Sequence, residues 1–137
     1  MISDPNLKDN PVVYANSALS MITGYNKSDV YGKNCRFLQS DDLKQTAITT
    51  FREAIKENCA TTVALRNYRK DSTFFWNIVT ASPIFDGDGQ PKFFLGIQQD
   101  VTNRIRVEKE NQSLQQRILL AAKFEAGDRR LAYTDQK

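Results

Sequence analysis

Between residues 61 and 101 the sequence repeats one pattern three times, and that pattern constrains the fold more than any other feature. "TTVALRNYR" (61–69), "TFFWNIVTASPIF" (73–85) and "PKFFLGIQQDV" (91–101) are rich in β-branched and aromatic residues, and "KDS" and "DGDGQ" separate them. Such side chains suit a pleated surface, while Asp, Ser and Gly supply tight turns, so three antiparallel strands are predicted. Upstream, "ISDPNLKDNPVVYAN" reads as two short strands around a polar turn at Pro5 and Asn6, with Val12, Val13 and Tyr14 in the second strand. Residues 16–24 predict a short helix closed by Gly24, and Asn26 with Asp29 caps a single turn that Gly32 ends. Asp42 and Gln45 stand at capping-box spacing, and Leu43, Ala47, Ile48, Phe51, Ala54 and Ile55 recur at three- and four-residue steps, which predicts an amphipathic helix over 42–57. The fold class that follows is α+β: an antiparallel sheet with short helices on one face.

After Thr102 the chain is dominated by Glu, Gln, Lys, Arg and Leu, with no Gly or Pro until Gly127, which predicts one long helix over 103–126 followed by a polar, frayed tail over 127–137. Val107, Asn111, Leu114, Ile118 and Ala121 follow alternating steps of four and three, the spacing of a coiled-coil seam with Asn111 at a register-setting core position. A helix lying back on the sheet's exposed face is the competing reading. The domain organisation expected is therefore 1–102 as a core, 103–126 as a linker or output helix, and 127–137 as tail.

Charge and composition then remove several function classes. The net charge of +3 is confined to the end of the chain, since residues 1–102 hold eleven Lys/Arg against eleven Asp/Glu. That is a poor footprint for nucleic acid. No apolar run approaches bilayer length and the N-terminus has no leader pattern, so no membrane contact and a cytoplasmic location are expected. There is no histidine, which excludes Ser/His and Cys/His nucleophilic pairs. Two cysteines, Cys35 and Cys59, fall short of a four-ligand zinc site and are read as free thiols, Cys59 as a structural or surface one.

Strand parity carries the specific signal. Val63, Leu65 and Asn67 share a face of the first long strand; Phe75, Asn77, Val79 and Ala81 of the second; Phe94, Gly96 and Gln98 of the third. Each strand thus sets one carboxamide among apolar neighbours. An unpartnered buried amide costs about 1–3 kcal/mol, so three facing one interior imply a partner that both donates and accepts. Two other arrangements stay open: the amides bond one another or the backbone, or these faces meet solvent while Trp76, Ile78, Leu95 and Ile97 form the core. A flat heteroaromatic ring with an imide edge suits the pocket reading, with Val79, Ala81 and Gly96 small enough to admit a slab. Arg36 and Arg52 would clamp a phosphate on such a ligand, or are ordinary surface arginines.

"NCRFLQ" at 34–39, preceded by "TGY" and followed by "NYRKD", "FWN" and "GIQQDVT", resembles the LOV domains, flavin-binding blue-light sensors of the PAS superfamily. The likeness runs from about Ile2 to Thr102. It implies a PAS-like five-stranded antiparallel sheet, a bound FMN chromophore and no enzymatic activity. It further implies that Cys35 is the photoactive thiol, adding reversibly to flavin carbon 4a, and that Gln98 is the signalling amide near N5 and O4. By the same resemblance Arg36 and Arg52 match the phosphate clamp, Asn34 and Gln39 lie beside the ribityl chain and ring, and Asn67 and Asn77 hold the pyrimidine edge. Ser3, Asn10, Leu38, Ile48, Phe51, Ile55, Leu65, Val79, Ala81, Phe94 and Gly96 fall on pocket-wall positions. A flavin redox sensor without adduct formation is the alternative function. The partners expected are the flavin, a second copy of the chain through the C-terminal helix, and an effector lying outside this chain.

Several residues depart from the family pattern. Ser40 and Ser72 stand where glycines are common, which touches turn geometry. Val79 and Ala81 are smaller than usual, which bears on packing against the ring. Met1 begins inside the first strand, so a truncated chain is expected.

Overall fold

The computed structural model describes residues 1–135, with side chains described through residue 125. The chain divides into two units, Met1–Thr102 and Asn103–Lys137.

In the first unit the strands are β1 (Ile2–Ser3), β2 (Val12–Tyr14), β3 (Thr61–Tyr68), β4 (Phe74–Phe85) and β5 (Pro91–Asp100). They form one antiparallel sheet in the order β2-β1-β5-β4-β3. Register follows the two tight turns. In the second of these, Asp86 accepts from the backbone N–H of Asp88 and Gln90, and Gly89 takes the left-handed φ of +78° that the reversal needs. Ser72 in the first turn and Ser40 after the "FLQ" segment adopt φ of +69° and +50°, so glycines there would be relieved of strain on the order of 1 kcal/mol.

The connecting helices are α1 (Ser17–Thr23), α2 (Lys27–Val30) and α3 (Thr46–Lys56), with a 3-10 turn at Cys35–Gln39 between α2 and α3. Asn16 caps α1 and Gly24 closes it at φ +76°; Asp29 accepts from the Asn26 N–H at the start of α2. The helix expected over 42–57 is four residues shorter at its start. Asp42 and Gln45 are committed elsewhere: Arg66 holds both Asp42 oxygens at 2.7 and 2.8 Å, the Tyr68 hydroxyl donates to Asp42 at 2.8 Å, and the Gln45 amide pairs with the N–H and C=O of Arg66. Gln45 in effect continues the ladder of β3 with a side chain, and those bonds outcompete a capping box.

Arg66 and then Tyr68 hold the Asp42 carboxyl down at about 2, from an ordinary 3.8. A depressed carboxylate contributes stability that is present above its unfolded value and is lost as pH falls through its folded one. The melting-temperature gap between wild type and Asp42→Asn is therefore expected to be constant above about pH 4 and to close on descent to about pH 2. A gap that is flat across that window would refute the assignment.

Two apolar clusters make the core: Val12, Ala15, Leu19 and Val30, joined by Met1, Tyr25, Cys35 and Phe37; and Ile48, Val63, Leu65 and Val79, joined by Ala47 and Phe51. At the far end of the sheet Arg69 spreads its donors over the Ile22 and Phe74 carbonyls, the Thr73 hydroxyl and the Asp100 carboxylate, with its guanidinium 4.7 Å from the Phe75 ring centre. The other Asp100 oxygen accepts from the Thr102 N–H, and the Thr102 hydroxyl accepts from the Trp76 N–H. Strand β5 ends where those bonds form.

The second unit is formed by the helix α4 (Thr102–Asp135), whose first residue, Thr102, still belongs to the first unit. It was expected to stop near 126 and to give way to a tail over 127–137. Instead it runs through Gly127 to Asp135, because Ala, Arg and Leu on both sides favour the helix by more than the roughly 1 kcal/mol one glycine costs. Residues 136–137 of the expected tail lie outside the described residues. Along α4 the seam residues Val107, Leu114 and Ile118 are exposed, as are Leu119, Leu120 and Phe124. Among the described residues no helix is long and apolar enough to cross a membrane.

Candidate functional site

A cavity of about 130 Å³ opens between the sheet and the connecting segments. Its floor is the inner face of β4 and β5, where Val79, Ala81, Phe94 and Gly96 meet in register, Ala81 opposite Gly96. Gly96 has no side chain to raise that floor; a Cβ there would come within 3.1 Å of the Met1 methyl. Ile48, Phe51, Arg52 and Ile55 wall it from α3, at the three- and four-residue steps of one helical face. Asn34, Cys35, Arg36 and Gln39 enter from the 3-10 turn, and Ser3 and Asn10 from β1 and the turn after it. The turn exists because Asn34 caps it, its side-chain oxygen accepting from the Arg36 N–H at 3.0 Å while its amide donates to the Asp9 carbonyl.

Leu38 and Leu65, expected on the wall, lie instead in the packed core behind it, each 3% exposed. Asn67, Asn77 and Gln98 are not on the cavity surface either. They sit on the same sheet face one step along, Asn77 next after Val79, with Val79 paired to Gln98. There Asn77 donates to Asn67 at 2.9 Å and to Gln98 at 3.4 Å, and accepts from the Gln99 backbone N–H at 3.1 Å. Asn67 and Asn77 are 2% and 0% exposed, whereas Ile97 on the opposite face is 57% exposed. The reading with Trp76, Ile78, Leu95 and Ile97 as core is thereby overturned, and the amides do bond one another and the backbone, as the first alternative held. Met1 was not foreseen as a lining residue, although it shares strand parity with Ser3; its sulfur accepts from Gln98 at 3.7 Å. Cys59 is exposed and does not line this cavity.

Two polar features of the cavity call for a ligand. The Asn10 side-chain oxygen is buried without a hydrogen-bond partner, which is costly and suits a donor brought in by a bound molecule. Arg52 makes no ion pair among the described residues, whereas Arg36 is paired with Asp9. The thiol of Cys35 is pushed above its ordinary value by burial, against a smaller opposing pull from Arg36. It is a protonated thiol at neutral pH, and no imidazole exists to deprotonate it. A hydroxylated chain beside Asn10 and Asn34, an anion near Arg52, and a planar ring over Val79, Ala81 and Gly96 all match this donor set. An FMN-type flavin therefore fits the residues present.

Comparison with known proteins gives the same direction. A profile of the PAS domain matches residues 1–103. The chain is 46% identical over 102 residues to a blue-light photoreceptor of Listeria monocytogenes, covering 74% of this chain and 40% of that protein. It is 41% identical over 127 residues to blue-light-activated histidine kinase 1 of Erythrobacter litoralis, covering 93% of this chain and 35% of that protein. The chain thus spans less than half the length of the curated relatives it matches. Among solved structures, the light state of the Aureochrome1 LOV domain superposes with a TM-score of 0.72 at 36% identity, covering 80% of this chain and 88% of that one. The LOV domain of the Erythrobacter litoralis EL346 kinase superposes with a TM-score of 0.70 at 37% identity, covering 74% and 93%. By the profile match, the sequence identities and the superpositions, this chain belongs to the PAS domain family, in its LOV branch.

Proposed function

We propose that this LOV domain is a blue-light sensor, not an enzyme, that binds FMN in the cavity and responds through Cys35. A bound flavin supplies absorption of blue light and, once excited, an electrophilic ring carbon beside a basic ring nitrogen. Cys35 supplies sulfur and proton together: its S–H bond breaks, the sulfur forms the new bond and the proton passes to the ring. A thiol whose pKa is raised by burial suits that reaction better than a thiolate, and the place of Cys35 on the cavity wall is the observation that carries the reading. Val79, Ala81 and Gly96 leave room for the ring, Ile48, Phe51, Ile55 and Phe94 exclude water, and Arg52 and Arg36 receive the phosphate. Asn67 and Asn77 lie just off the cavity surface on the same sheet face and would exchange their mutual hydrogen bond for the polar edge of the ring.

The test is an absorption spectrum of the purified chain before and after a blue flash. Reversible loss of the blue band supports the proposal; a yellow protein whose band never bleaches leaves the flavin redox sensor as the function.

Gln98 is proposed as the amide that carries the change outward. Its oxygen bonds Asn77, which also holds the Gln99 N–H, three residues before the start of α4. Reorienting Gln98 alters the bonding of the strand just before that helix. The helix in turn is proposed to pair with a second copy through Val107, Asn111, Leu114, Ile118 and Ala121. One structural neighbour, the fungal photoreceptor Vivid, was solved as a light-state dimer. Gln98→Leu is expected to leave bleaching intact and to remove any light-dependent change in molecular mass by light scattering; a mass change that persists in the variant would exclude Gln98 as the relay.

A further inference from the structure

The apolar surface of α4 does not end with its coiled-coil seam. After Ala121 the next core position of that seam, four residues on, is occupied by Glu125. Leu120 and Phe124 stand off the seam and are 67% and 70% exposed. With Arg117, Ala121 and Glu125 they line one shallow groove on the helix surface. The two charges at the ends of this groove have no partner, since neither Arg117 nor Glu125 makes an ion pair among the described residues. The residues three and four places from Arg117 on either side are Ser113, Leu114, Leu120 and Ala121, so its own helix offers it no neighbouring acid.

These residues discriminate between the two ways of pairing such helices. In a parallel, in-register pair Glu125 meets its own copy at a core position, carboxylate against carboxylate. Arg117 gains nothing there, because the flanking position it addresses on the second helix, five residues on, is Ala122. Turning one helix over about a two-fold axis through Ala121 changes every contact. Each residue then faces the one equally far on the other side of Ala121, so Arg117 faces Glu125 of the second copy and Ile118 faces its Phe124. Ala121 crosses itself, and its small side chain lets the two axes close. The surface is therefore self-complementary, and symmetry makes the ion pair and the apolar pair each occur twice.

Resting on the reading that α4 pairs two copies, we infer that the two helices meet antiparallel, crossing at Ala121, and that Arg117 and Glu125 select this orientation. The occupant of the groove is a second copy of this chain.

The experiment is a distance measurement on the full chain. Glu108→Cys in a Cys59→Ser background carries one spin label per copy, at an exposed position thirteen residues before the crossing point. Mass spectrometry checks that a single label is attached. At a rise of about 1.5 Å per residue an antiparallel pair sets the two labels about 40 Å apart, whereas a parallel pair holds them within about 20 Å. Pulsed electron–electron resonance reads the distance in the dark and under blue light. A peak at the longer distance supports the inference. A peak at the shorter one overturns the orientation and leaves the pairing reading standing, and a chain monomeric in both states refutes that reading and the inference with it. Charge variants, followed by sedimentation equilibrium with circular dichroism to certify the helix, test the selectors. Arg117→Glu and Glu125→Arg are each expected to weaken dimerisation about tenfold, since each removes two ion pairs and creates two repulsions. The double exchange is expected to restore it to within about threefold of the wild type. Single variants that pair like the wild type, or a double variant that stays weak, overturn the role given to these two charges.

Discussion

Cys35→Ala is expected to remain yellow and to lose the reversible blue-light bleaching altogether. No other side chain stands ready to replace the thiol. Cys35 is the only cysteine on the cavity wall, Cys59 is exposed elsewhere, and the chain has no histidine. The side chain packs against the cluster of Val12, Ala15, Leu19 and Val30, so trimming it to alanine removes one sulfur's contacts and leaves the cavity floor and the amides untouched. Cys35→Ser is expected to behave in the same way, because a hydroxyl is a poorer nucleophile and binds its proton more tightly. Burial raises the thiol's pKa, so bleaching in the wild type should be constant between about pH 6 and 8, where the thiol stays protonated. A Cys35→Ala protein that still bleaches and recovers would end the thiol-addition proposal.

Phe75→Ala is expected to be the most destabilising single change in the core. The ring is fully buried at 0% exposure, lies opposite Asn67 in the β3–β4 ladder, and carries the Arg69 guanidinium over its face. Truncating a buried phenylalanine costs about 3–5 kcal/mol through lost contact and the cavity left behind, out of a total stability of about 5–15 kcal/mol. For a unit of this size that is a fall in melting temperature of roughly 15 °C or more. Thermal unfolding followed by circular dichroism measures it. A fall of less than about 5 °C would show that Arg69 and the neighbouring strands collapse onto the site without loss.

The sequence made some of this visible and hid the rest for identifiable reasons. The three long strands were legible to within two residues, because inward Val79 and Ala81 alternate with outward Ile78 and Thr80 and because "DGDGQ" admits little but a turn. The start of α3 was misread because Asp42 and Gln45 have the spacing of a capping box but bond Arg66, which is distant in sequence. The 3-10 turn at Cys35–Gln39 is too short to show a period. Parity placed the three amides on one face but could not say which face was buried; the burial of Asn67 and Asn77 decides that. The pairing of Arg36 with Asp9 joins residues 27 apart in the chain and leaves no local pattern at all.

Asp100 stands between two separate structural decisions. One oxygen receives Arg69, which rivets the tip of the sheet to the end of α1, and the other receives the first amide of α4. A single charge thus serves as keystone for both, and neither joint can be loosened by neutralising that carboxylate without slackening its twin.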